Sequence, residues 1–110
     1  MAKFIKKLER MAGHVTSLVQ TEDGNYYYVD SGWTQDMGYE TMAFSCYETG
    51  RVKSWQDLAA DWYETREEME EAHSKFIETL EERMENYTHE MWEDKREEMA
   101  EQGYEEYPLY

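Results

Sequence analysis

From Arg51 to Gln102 the chain contains neither glycine nor proline, and beyond Thr65 its apolar residues recur at spacings of three and four. Met69, Ala72 or His73, Phe76, Leu80, Met84, Tyr87 and Met91 fall on one stripe, with Ile77 and Trp92 at its margin. That period predicts an amphipathic helix. Thr65 followed three residues later by Glu68 is a capping-box pattern, so the helix is expected to start at Thr65. A straight helix from Arg66 to Gln102 would be about 55 Å long, whereas strands of five or six residues span roughly 20 Å. One such helix outruns any sheet this chain can build. Either it breaks near Asn86, in "NYTH", and folds back, or its distal part projects and meets another molecule; Gly103 is a natural C′ residue.

The helical stretch also holds nearly all of the charge. Residues 1–56 carry seven acids and six bases, a balance of −1, and residues 57–110 carry nineteen acids and five bases, a balance of −14, which together give the formal −15. A polyanion repels nucleic acid and anionic membranes, so direct binding of either is not expected, and a protein with a basic surface is the expected partner. No run approaches the roughly 18 consecutive apolar residues of a membrane span, and "MAKFIKKLERMAG" has bases without an apolar h-region behind them. A cytoplasmic protein is expected. Cys46, the single cysteine, lies in an apolar run and reads as a buried, inert thiol.

A chain of 110 residues makes one core. A single domain over 1–110 is expected, sheet-rich over about 1–56 and helical over about 57–103, with a short aromatic tail at 104–110. "HVTSLVQ" and "NYYYVD" are rich in β-branched and aromatic residues and flank Asp23-Gly24, whose positive φ suits a hairpin turn. Tyr26 and Tyr28 point to one face and Tyr27 and Val29 to the other, so that one pair packs inward and the other stays accessible. In "YETMAFSCY", Met42, Phe44 and Cys46 alternate with Thr41, Ala43 and Ser45, giving a third strand with one apolar face. "RVKSW" reads as a fourth strand, and "KFIKKLERM" fits either a helix or a short edge strand. The expected fold is α+β: a three- or four-stranded antiparallel sheet packed by one long acidic helix, broken or not near Asn86.

Catalytic patterns are sparse. His14, His73 and His89 offer no metal-ligand spacing, and Glu70-x-x-His73 is a single copy of a motif that a di-iron bundle needs twice. His73 reads as a histidine at the border of the buried stripe. There is no phosphate loop and no nucleophile elbow, and the helix carboxylates have nothing around them to split their pKa values. A non-enzymatic protein without cofactor or metal is expected.

Glu40, Thr41, Met42 and Phe44, then Gly50, Val52, Trp55 and Leu58, then Tyr63, Thr65, Glu67, Glu68 and His73 form a pattern over about a third of the chain. In these residues the chain resembles a set of small uncharacterised proteins of bacteriophages and Gram-positive bacteria. The resemblance implies a strand, turn, strand, helix order and a phage or mobile-element setting, with the cytoplasm of a host cell as the location. It implies no active site.

Two functions fit these features. In the first, the protein is a phage-type accessory that binds and inhibits a host protein, with defence and nucleic-acid-binding proteins as the candidate classes, its helix standing in for nucleic acid. Carboxylates at i, i+3 and i+4 lie about 5 to 6 Å apart, close to the spacing of neighbouring phosphates. Glu67, Glu70, Glu71, Glu78, Glu81, Glu82 and Glu85 form such a ridge. The plainer reading of the same ridge is the solvated side of an amphipathic helix. In the second, the chain is a structural or assembly module whose helix pairs with its own copy as a homodimer through Ile77, Leu80, Met84, Tyr87 and Met91. Trp33, with Tyr26 or Tyr28 and Tyr39, offers an aromatic anchor for a partner, or else Trp33 caps the core. In "GYEEYPLY", Tyr107 and Leu109 are the expected docking contacts of the tail.

Overall fold

Val29 pairs with Ser17 on one side and with Ala43 on the other, and Ala43 pairs in turn with Ala59. This row of small and branched side chains crosses four strands and forms the floor on which the helices rest. A computed structural model describes residues 1–9 and 12–102. Its strands are β1 (Lys3–Leu8), β2 (Val15–Gln20), β3 (Tyr26–Thr34), β4 (Gly38–Cys46) and β5 (Ala59–Tyr63), joined in sequence order into one antiparallel sheet. Three helices follow: α1 (Arg66–Glu78), α2 (Leu80–Asn86) and α3 (His89–Glu101).

The local signals act where the sequence puts them. Gly24 takes φ of 90° in the turn between β2 and β3, and Asp23 Oδ1 accepts from the Asn25 amide at 3.1 Å. Thr65 caps α1, its Oγ1 accepting from the Glu68 amide at 3.1 Å. Phe76, Ile77 and Leu80 then bury against Val19, Val29, Ala43 and Ala59, with Met69 and His73 buried on the same side. Between α1 and α2 the Thr79 hydroxyl bonds back to the Lys75 carbonyl at 2.8 Å, a contact that bends helices. Amide bonds from Thr79 to Lys75 and from Arg83 to Thr79 carry the helical ladder across the join. The chain breaks at the expected place: α2 ends at Asn86, Tyr87 is extended, and Thr88 caps α3.

The opposite face of the sheet is also covered. Leu18, Tyr28, Phe44 and Cys46 cluster there, with Leu8, Tyr26, Met42 and Val52 packed against them. Trp55 meets Phe44 and Tyr28 edge to face at centroid distances of 5.0 and 5.7 Å. Cys46 is buried, and burial pushes its thiol up to about 11.

The structure corrects several expectations. The sheet has five strands rather than three or four, and the helical half is three helices rather than one. "KFIKKL" is an edge strand with a register shift between Phe4 and Lys6, its lysines on the exposed rim. "RVKSW" contributes only the isolated bridge from Cys46 to Val52, because Val52 and Trp55 are spent covering the second face. That cover also means that neither face of β3 stays open. β5 falls inside the stretch expected to be helical, since "AADWY" has no apolar alternation to announce a strand. Ile77 lies in the core rather than at the margin of the stripe, whereas Met91, expected on the stripe, is 45% exposed. The apolar stripe is thus consumed by the sheet as far as Leu80, with Met84 packed at its edge. A Leu80→Ala variant is expected to lose about 3 kcal/mol of stability and Met91→Ala less than about 1 kcal/mol, as measured by urea denaturation.

Candidate functional site

Two features can recognise something else: the outer face of α1 and α2, which the sequence points to, and a cleft on the far side of the sheet, which it does not.

Glu67, Glu70, Glu71, Glu78, Glu82 and Glu85 are all exposed and have no ion pair among the described residues. Glu81 differs from them. It is half-buried, accepts from the Glu22 amide at 3.2 Å and lies 3.5 Å from the terminal amine of Met1. The bases of the helical half are drawn off this face. Arg66 donates to the Gly13 carbonyl at 2.8 Å and stacks over Tyr39. Arg83 donates to Asp61 Oδ2 at 3.1 Å and lies over Phe76. Arg96 reaches Asp36 at 3.3 Å and Lys95 pairs with Glu98 at 3.5 Å. Lys75 alone of these five has neither an ion pair nor a side-chain hydrogen bond among the described residues.

The aromatic anchor is only partly assembled. Trp33 is 49% exposed, so it does not cap the core, and it pairs across the strands with Tyr39. Tyr26 and Tyr28 lie on the opposite face, two-residue alternation placing them out of phase with Trp33. Tyr107 and Leu109, like Gly103, lie outside the described residues.

His73 is buried at the border of the stripe. Its Nε2 is 2.8 Å from Ser17 Oγ and its Nδ1 is 2.6 Å from Ser31 Oγ, which in turn bonds Thr41 Oγ1. Burial lowers the pKa of the ring, so it sits neutral between two hydroxyls. The group is a satisfied polar seam beneath α1. Glu70, the other half of the motif, points away into solvent.

The cleft gathers residues that the sequence scatters. Asp30, Gly32 and Thr34 of β3 and Glu40, Met42 and Phe44 of β4 share one face because their numbers share one parity and Gly32 pairs with Glu40. His14, just before β2, lies flat on Gly32; a Cβ there would come within 2.3 Å of the ring. Trp55 closes the far wall, and the enclosed volume is about 190 Å³. His14 Nδ1 is 2.9 Å from Asp30 Oδ2, and Thr16 Oγ1 donates to Asp30 Oδ1 at 2.6 Å.

Glu40 is the unusual member. It is 6% exposed, and its Oε2 accepts from Trp62 Nε1 of β5 at 2.7 Å and from Trp92 Nε1 of α3 at 3.1 Å. Burial raises its carboxyl to about 7, the two indoles oppose the rise, and the nearby Asp36 and Asp57 add to it. Asp57 behaves differently. Burial opposes its ionisation, yet the Tyr87 hydroxyl and the His89 ring outweigh that and hold its carboxyl below the usual range. His89 Nδ1 lies 2.9 Å from Asp57 and its ring stacks on Trp92. Together with the Arg96 contact to Asp36, these bonds fix α3 to the sheet.

No protein-family model, curated protein or solved structure matches the chain. No helix among the described residues is long and apolar enough to cross a membrane.

The raised carboxyl of Glu40 makes stability depend on pH with a definite sign. Folding favours the protonated acid, so this contribution is fully present below about 4.5, the ordinary value, and is lost as the pH rises through about 7. Glu40→Gln keeps an oxygen for the indoles and removes the charge. It is expected to raise stability at pH 8 by on the order of 3 kcal/mol and to change it little at pH 4, read from urea denaturation at both values.

Proposed function

We infer that the protein is a non-enzymatic binding protein that engages a basic surface on another protein through the outer face of α1 and α2, and blocks it. The observation that carries this reading is the segregation of charge within the helical half. Four of its five bases are engaged with the sheet, with loops or, for Lys95, with its own helix, while six glutamates of α1 and α2 face outward without cationic partners among the described residues. A helix that needs only solubility gains from mixed signs at i, i+4. Here that pairing is largely forgone, and a ridge of carboxylates with near-phosphate spacing suits a groove of Lys and Arg built for nucleic acid. The resemblance of the Glu40 to His73 stretch to small phage proteins supports a host protein as the target, in the cytoplasm of the host. Self-association through the apolar stripe has less support, because Ile77 and Leu80 are already covered by the sheet.

The test compares the native chain with a variant carrying Gln at Glu67, Glu71, Glu78 and Glu82. Host proteins held on the native chain at about 50 mM salt are expected to be released at about 500 mM, to be absent from the variant, and to lose their nucleic acid when the native chain is added. Equal capture by both chains, with equal melting temperatures, contradicts the proposal.

A further inference from the structure

A hollow larger than the cleft runs between β1 and α1. Its volume is about 580 Å³, within the roughly 300–1,000 Å³ of small-molecule sites. Ala2, Phe4 and Val15 wall it from the sheet and Ile77 from the helix, and Phe4 is 55% exposed. In its floor Ser17 Oγ and His73 Nε2 bond each other at 2.8 Å. The register shift between Phe4 and Lys6 gives this apolar hollow a cation. Strict alternation would send Phe4 and Lys7 to opposite faces, yet Phe4 pairs with Val19 and Lys7 with Ser17, and both partners face α1. Lys6 pairs with Leu18 and faces the other way. Lys3 and Lys7 both border the hollow, and neither has an ion pair among the described residues. Glu78 stands at the far end from Lys7. α1 runs from Arg66, bonded to Gly13 in the β1–β2 turn, towards Glu81 beside the terminal amine of Met1.

We propose that this hollow binds an alkyl carboxylate, its head paired with Lys7 and its hydrocarbon tail laid between Phe4 and Ile77 towards Ala2. From Lys3 to Lys7 the strand covers roughly 13 Å, which suits a chain of about eight carbons. The lysine ammonium donates to the carboxylate in a charge-assisted hydrogen bond, while its own methylene stem adds to the apolar wall. Other occupants fit less well. A peptide strand added to β1 would meet an edge whose ladder the register shift interrupts. A second copy paired antiparallel through the same edge would set lysines against lysines. Glu78 borders both this hollow and the acidic face of α1 and α2, but neither site needs the other to be occupied.

The test titrates the full chain with octanoate, hexanoate, hexanol and hexylammonium at fixed ionic strength, followed by backbone amide signals in NMR. Octanoate is expected to give saturable shifts in β1 and in the second half of α1 with a Kd of about 1 mM. Hexanoate, two methylenes shorter, is expected to bind about tenfold more weakly, and hexanol and hexylammonium at least about fivefold more weakly than hexanoate. A chain of net charge −15 attracts cations over most of its surface, so a preference for the anion is specific to this hollow. Lys7→Gln is expected to weaken hexanoate about fivefold and to leave hexanol unchanged. Lys6→Gln removes the same charge from the opposite face and is expected to change neither. Phe4→Ala is expected to weaken both ligands alike. All three side chains are exposed, so the melting temperature should stay near that of the native chain. Hexanol or hexylammonium binding as tightly as hexanoate overturns the proposal, as does an equal loss in Lys6→Gln and Lys7→Gln. So does the absence of shifts in β1 and α1 at about 20 mM octanoate, far above the expected Kd. None of these results bears on capture of a basic partner by the acidic face, which is read separately.

Discussion

Glu40 accepts hydrogen bonds from two indoles that belong to different elements, Trp62 on β5 and Trp92 on α3, while lying almost fully buried on the face of the sheet away from α1. A buried carboxyl is costly unless it is protonated or well bonded; here two indoles reduce that cost without cancelling it, and burial still holds the carboxyl up at about 7. The consequence is structural as well as electrostatic. α3 carries few apolar residues, with Met99 its only buried one, so it cannot be held by hydrophobic burial as α1 is. Its position rests on side-chain pegs: Trp92 on Glu40, His89 on Asp57 and Arg96 on Asp36. Each peg joins the helix to a residue whose charge would otherwise crowd the same corner of the sheet. On the same face His14 lies against Gly32 and, with Trp55, walls the cleft beside Glu40.

The distribution of charge follows the same division of labour. α1 and α2 spend their apolar stripe on the floor formed by Val19, Val29, Ala43 and Ala59. Once that face is buried, the residues left over must be polar, and in this chain they are nearly all glutamates. The arginines do not spread among them as screening partners. Arg83 lies over Phe76 and reaches Asp61, and Arg66 reaches past Tyr39 to Gly13. Such contacts suit the long apolar stems and planar heads of arginine. They also leave the outer face with an unbalanced field that salt screens within about 10 Å at 0.1 M.

The signals that could be read in the sequence were local ones. Thr65 begins the helix, Asp23-Gly24 turns the hairpin, and the break falls at Asn86 because Tyr87 and Thr88 supply an extended residue and a new cap. The alternation in "YYYVD" and "TMAFSC" gave the right faces, since period two is a property of the strand itself. What escaped depends on contacts distant in sequence. β5 is a strand because β4 offers it an edge, and nothing in "AADWY" says so alone. The two-sided burial of the sheet comes from Val52 and Trp55 folding over it, which turns "RVKSW" from an apparent strand into a cover. Two hints of the cleft were present nonetheless. Glu40 is in phase with Met42, Phe44 and Cys46, which places an acid on an apolar face. Gly32 interrupts a strand pattern, a mark of close approach by another group. Neither could name His14 or Trp92 as the neighbour, because those residues arrive from opposite ends of the chain.

The bond between Glu40 and the two indoles is tested most directly by following the side-chain carboxyl carbon of Glu40 and the indole N–H signals of Trp62 and Trp92 by NMR from pH 4 to pH 9. A buried carboxyl shared by both indoles titrates with its midpoint near 7, and both N–H signals move with that same midpoint as the acceptor gains its charge. A Glu40 midpoint near 4.5, with the two indole signals indifferent to it, would mean a solvated carboxylate and would contradict the account of how α3 is held.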